Sequence, residues 1–159
     1  MNDLSSITTL LSDVKALIEA TRQRVALSVN AELTQLYWQI GARINTELHQ
    51  RGGAEYGRQT VRGLSQQLEA EYGRSYAEKS LRRMMQFADV FAESAIVATL
   101  WRQLSWSHFK LLMAIAEPLK RDFYTQLATL HHWSVRELTR QLGTQLYERT
   151  AISRKSEGA

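Results

Sequence analysis

The sequence predicts an all-helical protein, and three observations carry that prediction. Apolar residues recur at steps of three and four along most of the chain, Pro118 is the single proline, and the eight glycines are scattered rather than set at regular turn positions. With 159 residues, 44% of them hydrophobic, the chain is long enough to bury one proper core.

The first element is the longest. Ile7, Leu10, Leu11, Val14, Leu17, Ile18, Val25, Val29, Leu33, Leu36, Ile40, Ile44 and Leu48 keep helical spacing over about forty residues. Ser5 or Ser6 is placed to cap the start, and Gly52-Gly53 to stop it. At about 1.5 Å per residue such a helix spans roughly 60 Å, more than a domain of this size can cover. Either a second copy covers part of the stripe, through Leu10, Val14, Leu17 and Val25, or a kink near Thr21 to Arg24 folds it back as a hairpin. The expected organisation is an arm over 1–50, a helical body over 51–152 and a tail over 153–159.

Val61, Leu64, Leu68 and Tyr72 make one face of the next helix, and Gly73 is placed to end it in a left-handed cap. Ser75 and Glu78 read as a capping box for the helix that follows, whose inward face is Leu81, Met84, Met85, Ala88 and Phe91. Helix, short turn, helix is the geometry that sets a second helix into a DNA groove, although the inward residues come a position or two late for a strict helix-turn-helix. Ser105 or Ser107 then opens a helix with Phe109, Leu111, Leu112 and Ile115 inside. Pro118 starts one with Phe123, Tyr124, Leu127 and Leu130 inside, and Ser134, with Glu137, caps one that buries Val135, Leu138 and Leu142. Trp38, Trp106 and Trp133 are expected in the core, and Trp101 is left open.

Charge is unevenly distributed. Residues 1–50 hold 4 Lys/Arg against 5 Asp/Glu, 51–83 hold 7 against 4, 84–100 hold 0 against 2, and 101–159 hold 9 against 5. Positive charge gathered in two later blocks suits a polyanionic partner, DNA. The candidate contacts are Arg74, Lys79, Arg82, Arg83 and Gln86 around the turn and second helix, with Lys110, Arg136 and Arg140 further on. A protein-interaction or oligomerisation module with a merely solvated basic face is the alternative.

Enzyme chemistry finds little support. His49, His108, His131 and His132 lack metal-ligand spacing, there is no cysteine, and no phosphate-binding glycine loop occurs. His108 reads as a helix-cap histidine. No catalytic residue, metal ligand or cofactor is expected. Without disulfides, a leader or a membrane span, the expected compartment is the cytoplasm.

Two resemblances follow from motifs. The stretch from Leu104 with LSWSH and WSVREL looks like the helical DNA-binding segment of partition proteins over about forty residues. More extensively, YWQIG at 37–41, the L-x-x-x-YG-x-x-Y-x-x-x-x-L-x-x-M pattern from Leu68 to Met84, LSWSH at 104–108, RDFY at 121–124, WSVRELxRQ at 133–141 and LYERT at 146–150 resemble the N-terminal domain of the YhcG family. That resemblance implies a domain that usually precedes a PD-(D/E)xK nuclease domain, in the same polypeptide or in trans. The polar ISRKSEGA ending reads as a linker before such a domain. The chain is read as lacking the nuclease's own spaced acid and acid-x-Lys pair, so no catalytic residue is carried over.

Overall fold

The computed structural model describes the backbone of residues 2–92, 100 and 103–157, and side chains over 8–92, 100 and 103–151. Ser5, Ser6 and Ile7 as side chains, Trp101 and the side chains of 152–159 lie outside the described residues. Among the described residues there are seven α-helices and one 3-10 turn, and no strand. They are α1 (Asn2–Arg51), α2 (Ala54–Tyr72), the turn Arg74–Tyr76, α3 (Glu78–Val90), α4 (Trp106–Met113), α5 (Pro118–Leu130), α6 (Val135–Gly143) and α7 (Leu146–Glu157).

α1 is one uninterrupted helix of 50 residues. The hairpin alternative is therefore corrected: helix continues unbroken through Thr21 to Arg24, where neither proline nor glycine is present to break it. Thr21 instead returns its hydroxyl to the Leu17 carbonyl, 3.0 Å away, within the regular helical ladder.

Only the second half of α1 joins the body. Thr34 is fully buried and Ile44 nearly so, and α3 is the main neighbour of α1. Contact is close enough that a Cβ on Gly41 would overlap the Met84 carbonyl oxygen, so only glycine admits this crossing. Asn45 seals it by donating to the Met85 carbonyl (2.9 Å) and to Asp89 (3.1 Å). Trp38 donates its indole N–H to the Phe91 carbonyl at 2.8 Å, where α3 ends.

Two apolar clusters share α3. Ile44, Val61, Leu81 and Met84 close α1, α2 and α3 together. Phe87, Leu104, Phe109, Leu112, Met113, Tyr124, Ala128 and Leu138 join α3 to α4, α5 and α6. Trp106 packs against both, its ring 5.1 Å from that of Tyr37 and 5.3 Å from that of Phe87. The expected inward faces hold in the main, with Phe87 added. Tyr72 and Leu130, expected inside, are exposed at 63% and 71%, because each sits at the last position of its helix, beyond the layer that covers it.

Three helix starts behave differently. Ser105 and His108 form a full capping box, and His108 Nε2 also donates to the Trp133 carbonyl at 2.7 Å, which ties α4 to the turn before α6. Ser134 accepts from the Glu137 amide at 3.0 Å, but the Glu137 carboxylate turns to Arg140 and Gln141 rather than completing the box. At α3 the expected box is corrected: Ser75 lies inside the 3-10 turn, the N-cap is Ala77, and no side chain caps the helix.

Candidate nucleic-acid interface

Gly73 ends α2 with φ of 98°, in the positive-φ region that glycine occupies without strain, and its N–H donates to the Glu69 carbonyl. The Arg74–Tyr76 turn then swings the chain so that α3 packs back on α2, held by Ser65 donating to the Tyr76 carbonyl at 3.1 Å. Five residues, Gly73 to Ala77, separate the helices, a longer link than a strict helix-turn-helix uses.

Spacing places Lys79, Arg82, Arg83 and Gln86 on one side of α3, opposite Leu81, Met84 and Ala88, which are buried. Lys79 and Arg82 are exposed, Arg83 is half-buried, and Arg74 stands exposed in the preceding turn. Arg82 is held by Glu78 at 2.9 Å, whereas Arg74, Lys79 and Arg83 form no ion pair among the described residues. Gln86 donates to the Met113 carbonyl at 3.1 Å, so its amide already serves the junction of α3 with α4.

Because Ala77 offers no capping oxygen, the first N–H groups of α3 have no side-chain partner. The positive end of the α3 dipole lies in the same first turn as Lys79 and the Glu78 carboxylate.

A groove of about 400 Å³ opens between α2 and α3, lined by Glu55, Arg58, Gln59, Arg62, Glu78 and Arg82. Arg58 and Arg62 escaped the sequence reasoning, although Glu55, Arg58, Gln59 and Arg62 at steps of three and four announce one solvent face of α2. Arg58 is paired with Glu55 at 2.8 Å, and Arg62 has no ion pair among the described residues. The groove therefore carries three guanidinium groups against two carboxylates. Exposed pairs such as Arg82–Glu78 contribute only about 0–1 kcal/mol, so a phosphate can displace the carboxylate at little cost.

The later cations do not extend this patch directly. Arg136 and Arg140 are exposed on α6, which packs on α4 and α7, and Lys110 is half-buried on α4. Arg140 is committed to Glu137 at 2.6 Å; hydrogen bonds from Arg140 and then Gln141 hold the Glu137 carboxyl down at about 2. Arg136 and Lys110 form no ion pair among the described residues.

One acid-x-Lys triplet does occur, Asp13-Val14-Lys15, which corrects the expectation that the chain has none. Both charged residues are exposed on the lone half of α1, and no group of three His, Cys, Asp or Glu able to hold a metal ion occurs among the described residues. Among the described residues no helix is long and apolar enough to cross a membrane.

The motif blocks that prompted the family resemblance turn out to serve the fold. In YWQIG, Tyr37 meets Trp106, Trp38 binds Phe91 and Gly41 admits α3. In RDFY, Arg121 donates to the Ile115 carbonyl at 2.6 Å and the buried Tyr124 hydroxyl accepts from the Tyr147 amide. In LYERT, Glu148 pairs with Lys120 at 2.6 Å, linking α7 to α5.

Comparison with known proteins bears out the family resemblance itself. The family model described as the DUF1016 N-terminal domain matches residues 13–149. A curated protein of Escherichia coli (strain K12) described as "Putative nuclease YhcG" is 33% identical over 168 residues, covering 86% of this chain and 44% of that protein. The chain thus spans less than half the length of the curated relative it matches. No solved structure matches it.

Proposed function

The chain belongs to the DUF1016 N-terminal domain family, and from that premise we propose that it is the non-catalytic, DNA-capturing part of a nuclease system. A nuclease domain, in the same polypeptide or in trans, would do the cutting. The observation that carries the proposal is the uncapped start of α3, with Arg74 in the turn before it and Lys79 in its first turn, beside the Arg58, Arg62 and Arg82 groove. In the groove Arg62 has no ion pair among the described residues, and Arg58 and Arg82 hold only exposed pairs that a phosphate can displace, which suits a row of phosphates better than a single buried ligand. Arg83 extends the same side of α3, while Arg136 and Arg140, exposed on α6, and Lys110 on α4 are further candidate phosphate contacts.

Capture of this kind is electrostatic and follows salt steeply. Anisotropy of a labelled duplex, titrated across a sodium chloride series, should give a linear fall of log affinity with log salt. Replacing Lys79 and Arg83 together by Ala should lower that slope by about two, one per lost phosphate contact. Salt-independent binding, or an unchanged slope in the double variant, would remove α3 from the interface.

A further inference from the structure

The turn between α5 and α6 holds two aromatic rings against each other at the surface. His131 and Trp133 are stacked, with ring centroids 6.0 Å apart and planes 24° from parallel. Trp133 is half-buried and packs against the cluster that joins α3 to α6, whereas His131 is exposed and meets no second ring among the described residues. Trp133 thus anchors the pair to the body, and His131 carries it into solvent.

Backbone conformation sets the pair up. Residues two apart in a helix point about 200° from each other, so a simple continuation of α5 could not stack these rings. His132 takes φ of 51°, in the left-handed region that a side chain rarely adopts, and turns Trp133 back beside His131. Three hydrogen bonds hold the turn: the His131 N–H donates to the Leu127 carbonyl (2.9 Å), the Trp133 N–H to the Ala128 carbonyl (3.0 Å), and buried His108 to the Trp133 carbonyl (2.7 Å). Backbone strain that its surroundings over-determine in this way points to a working turn.

Charge beside the pair is one-sided. From Phe123 to Tyr147 the only carboxylate is Glu137, and Arg140 and Gln141 already hold it. Arg136, in the first turn of α6, is exposed and forms no ion pair among the described residues. An exposed flat ring beside a free guanidinium, with no free acid near it in the chain, matches a nucleobase and its phosphate. An apolar partner would leave the Arg136 guanidinium without a counter-charge.

Building on the reading that the chain captures DNA, we propose that His131 and Trp133 form a stacking platform for an unpaired base, so that the preferred target contains single-stranded nucleotides. Inside a duplex each base face is covered by its neighbours and only the edges reach the grooves. A platform that offers a ring face therefore finds its partner where a base is free, as at a gap, a fork or an overhang. Arg136 takes the phosphate that accompanies the base.

Three labelled probes test this by anisotropy: an oligothymidylate, an abasic strand of the same length carrying the same phosphates, and the duplex. The full chain should bind the oligothymidylate at least about fivefold tighter than the abasic strand. His131→Ala should abolish that preference while the thermal transition and the duplex affinity stay in place, since the ring is exposed and lies outside the groove between α2 and α3. His131→Phe, which keeps a ring without the imidazole nitrogens, should retain the preference. Equal binding of the two single strands by the parent, a preference that survives His131→Ala, or its loss in His131→Phe would each overturn the platform. Salt-linked duplex binding without a base preference would leave the α3 interface standing and remove the platform alone. Base preference without duplex binding would do the reverse, and no binding of any probe would remove both.

Discussion

The two halves of α1 share a helix, a helical period and a similar supply of leucine, isoleucine and valine, yet one half is core and the other is bare. From Thr34 to Leu48 the helix buries Thr34 and Ile44 and closes on α3 over Gly41, whereas from Thr8 to Asn30 nothing is covered. Apolar content is thus a poor guide to which part of a helix is inside. What differs is direction: the buried line runs through a threonine and a glycine and points at α3, while the leucine-rich line points elsewhere. Taken over all 50 residues the two directions cancel, and α1 as a whole has almost no amphipathic bias.

Substitutions in the two halves sharpen that contrast. The largest effect is expected at Gly41. Alanine there gains about 1 kcal/mol of helix propensity, but its Cβ would occupy the position of the Met84 carbonyl, forcing α1 and α3 apart at a cost of several kcal/mol. Chemical denaturation should show Gly41→Ala strongly destabilised, and an equally stable variant would mean that the crossing is not close. Next, Leu81→Ala removes a fully buried side chain from the cluster that grips α1, with an expected loss of about 2–5 kcal/mol. Leu17→Ala, the same deletion on the bare half, should leave unfolding of the body within about 0.5 kcal/mol of the parent. If Leu17→Ala costs as much as Leu81→Ala in the monomeric chain, the two halves are not distinct.

A smaller loss is expected for Trp38→Phe, which keeps the ring but leaves the Phe91 carbonyl without its donor, about 1–2 kcal/mol by the same denaturation. The least effect belongs to the solvent side, at Glu137. Its folded carboxyl is lowered to about 2 from an ordinary 4.5, first by the hydrogen bond from Arg140. A depressed carboxyl stabilises the fold above its unfolded value and loses that contribution as pH falls from about 4.5 through about 2. Titration of the Glu137 carboxyl by NMR should find the low midpoint, and Arg140→Ala should bring it back towards the ordinary value. A midpoint unmoved by Arg140→Ala would show that the α6 pair is not formed.

Much of the fold was legible in the sequence because its signals are local. Spacing of three and four marks helices wherever they pack, Pro118 starts α5 and Gly73 ends α2 by backbone geometry alone, and Ser105 and Ser134 act within their own first turn. Ser75 misled for the opposite reason: Ser-x-x-Glu is present, but Leu68, Tyr76 and Leu81 pack in one cluster and draw the chain into a 3-10 turn that moves the cap to Ala77. The candidate interface was half legible. Lys79, Arg82 and Arg83 could be placed on one helix face from their numbers, but Arg58 and Arg62 join them only once α2 folds onto α3.

The sequence by itself determined that the chain is helical, where most helices start and stop, and that its first helix outruns a compact body. It also set the positions of the cations along each helix, since a period of 3.6 residues follows from backbone hydrogen bonding alone. Tertiary structure decided which side of α1 meets α3, that Gln86, Arg121 and His108 are spent on backbone carbonyls, and that the start of α3 is left open. Those outcomes depend on contacts between residues far apart in the chain, and the packing of two helices is a property of both surfaces that neither one specifies alone.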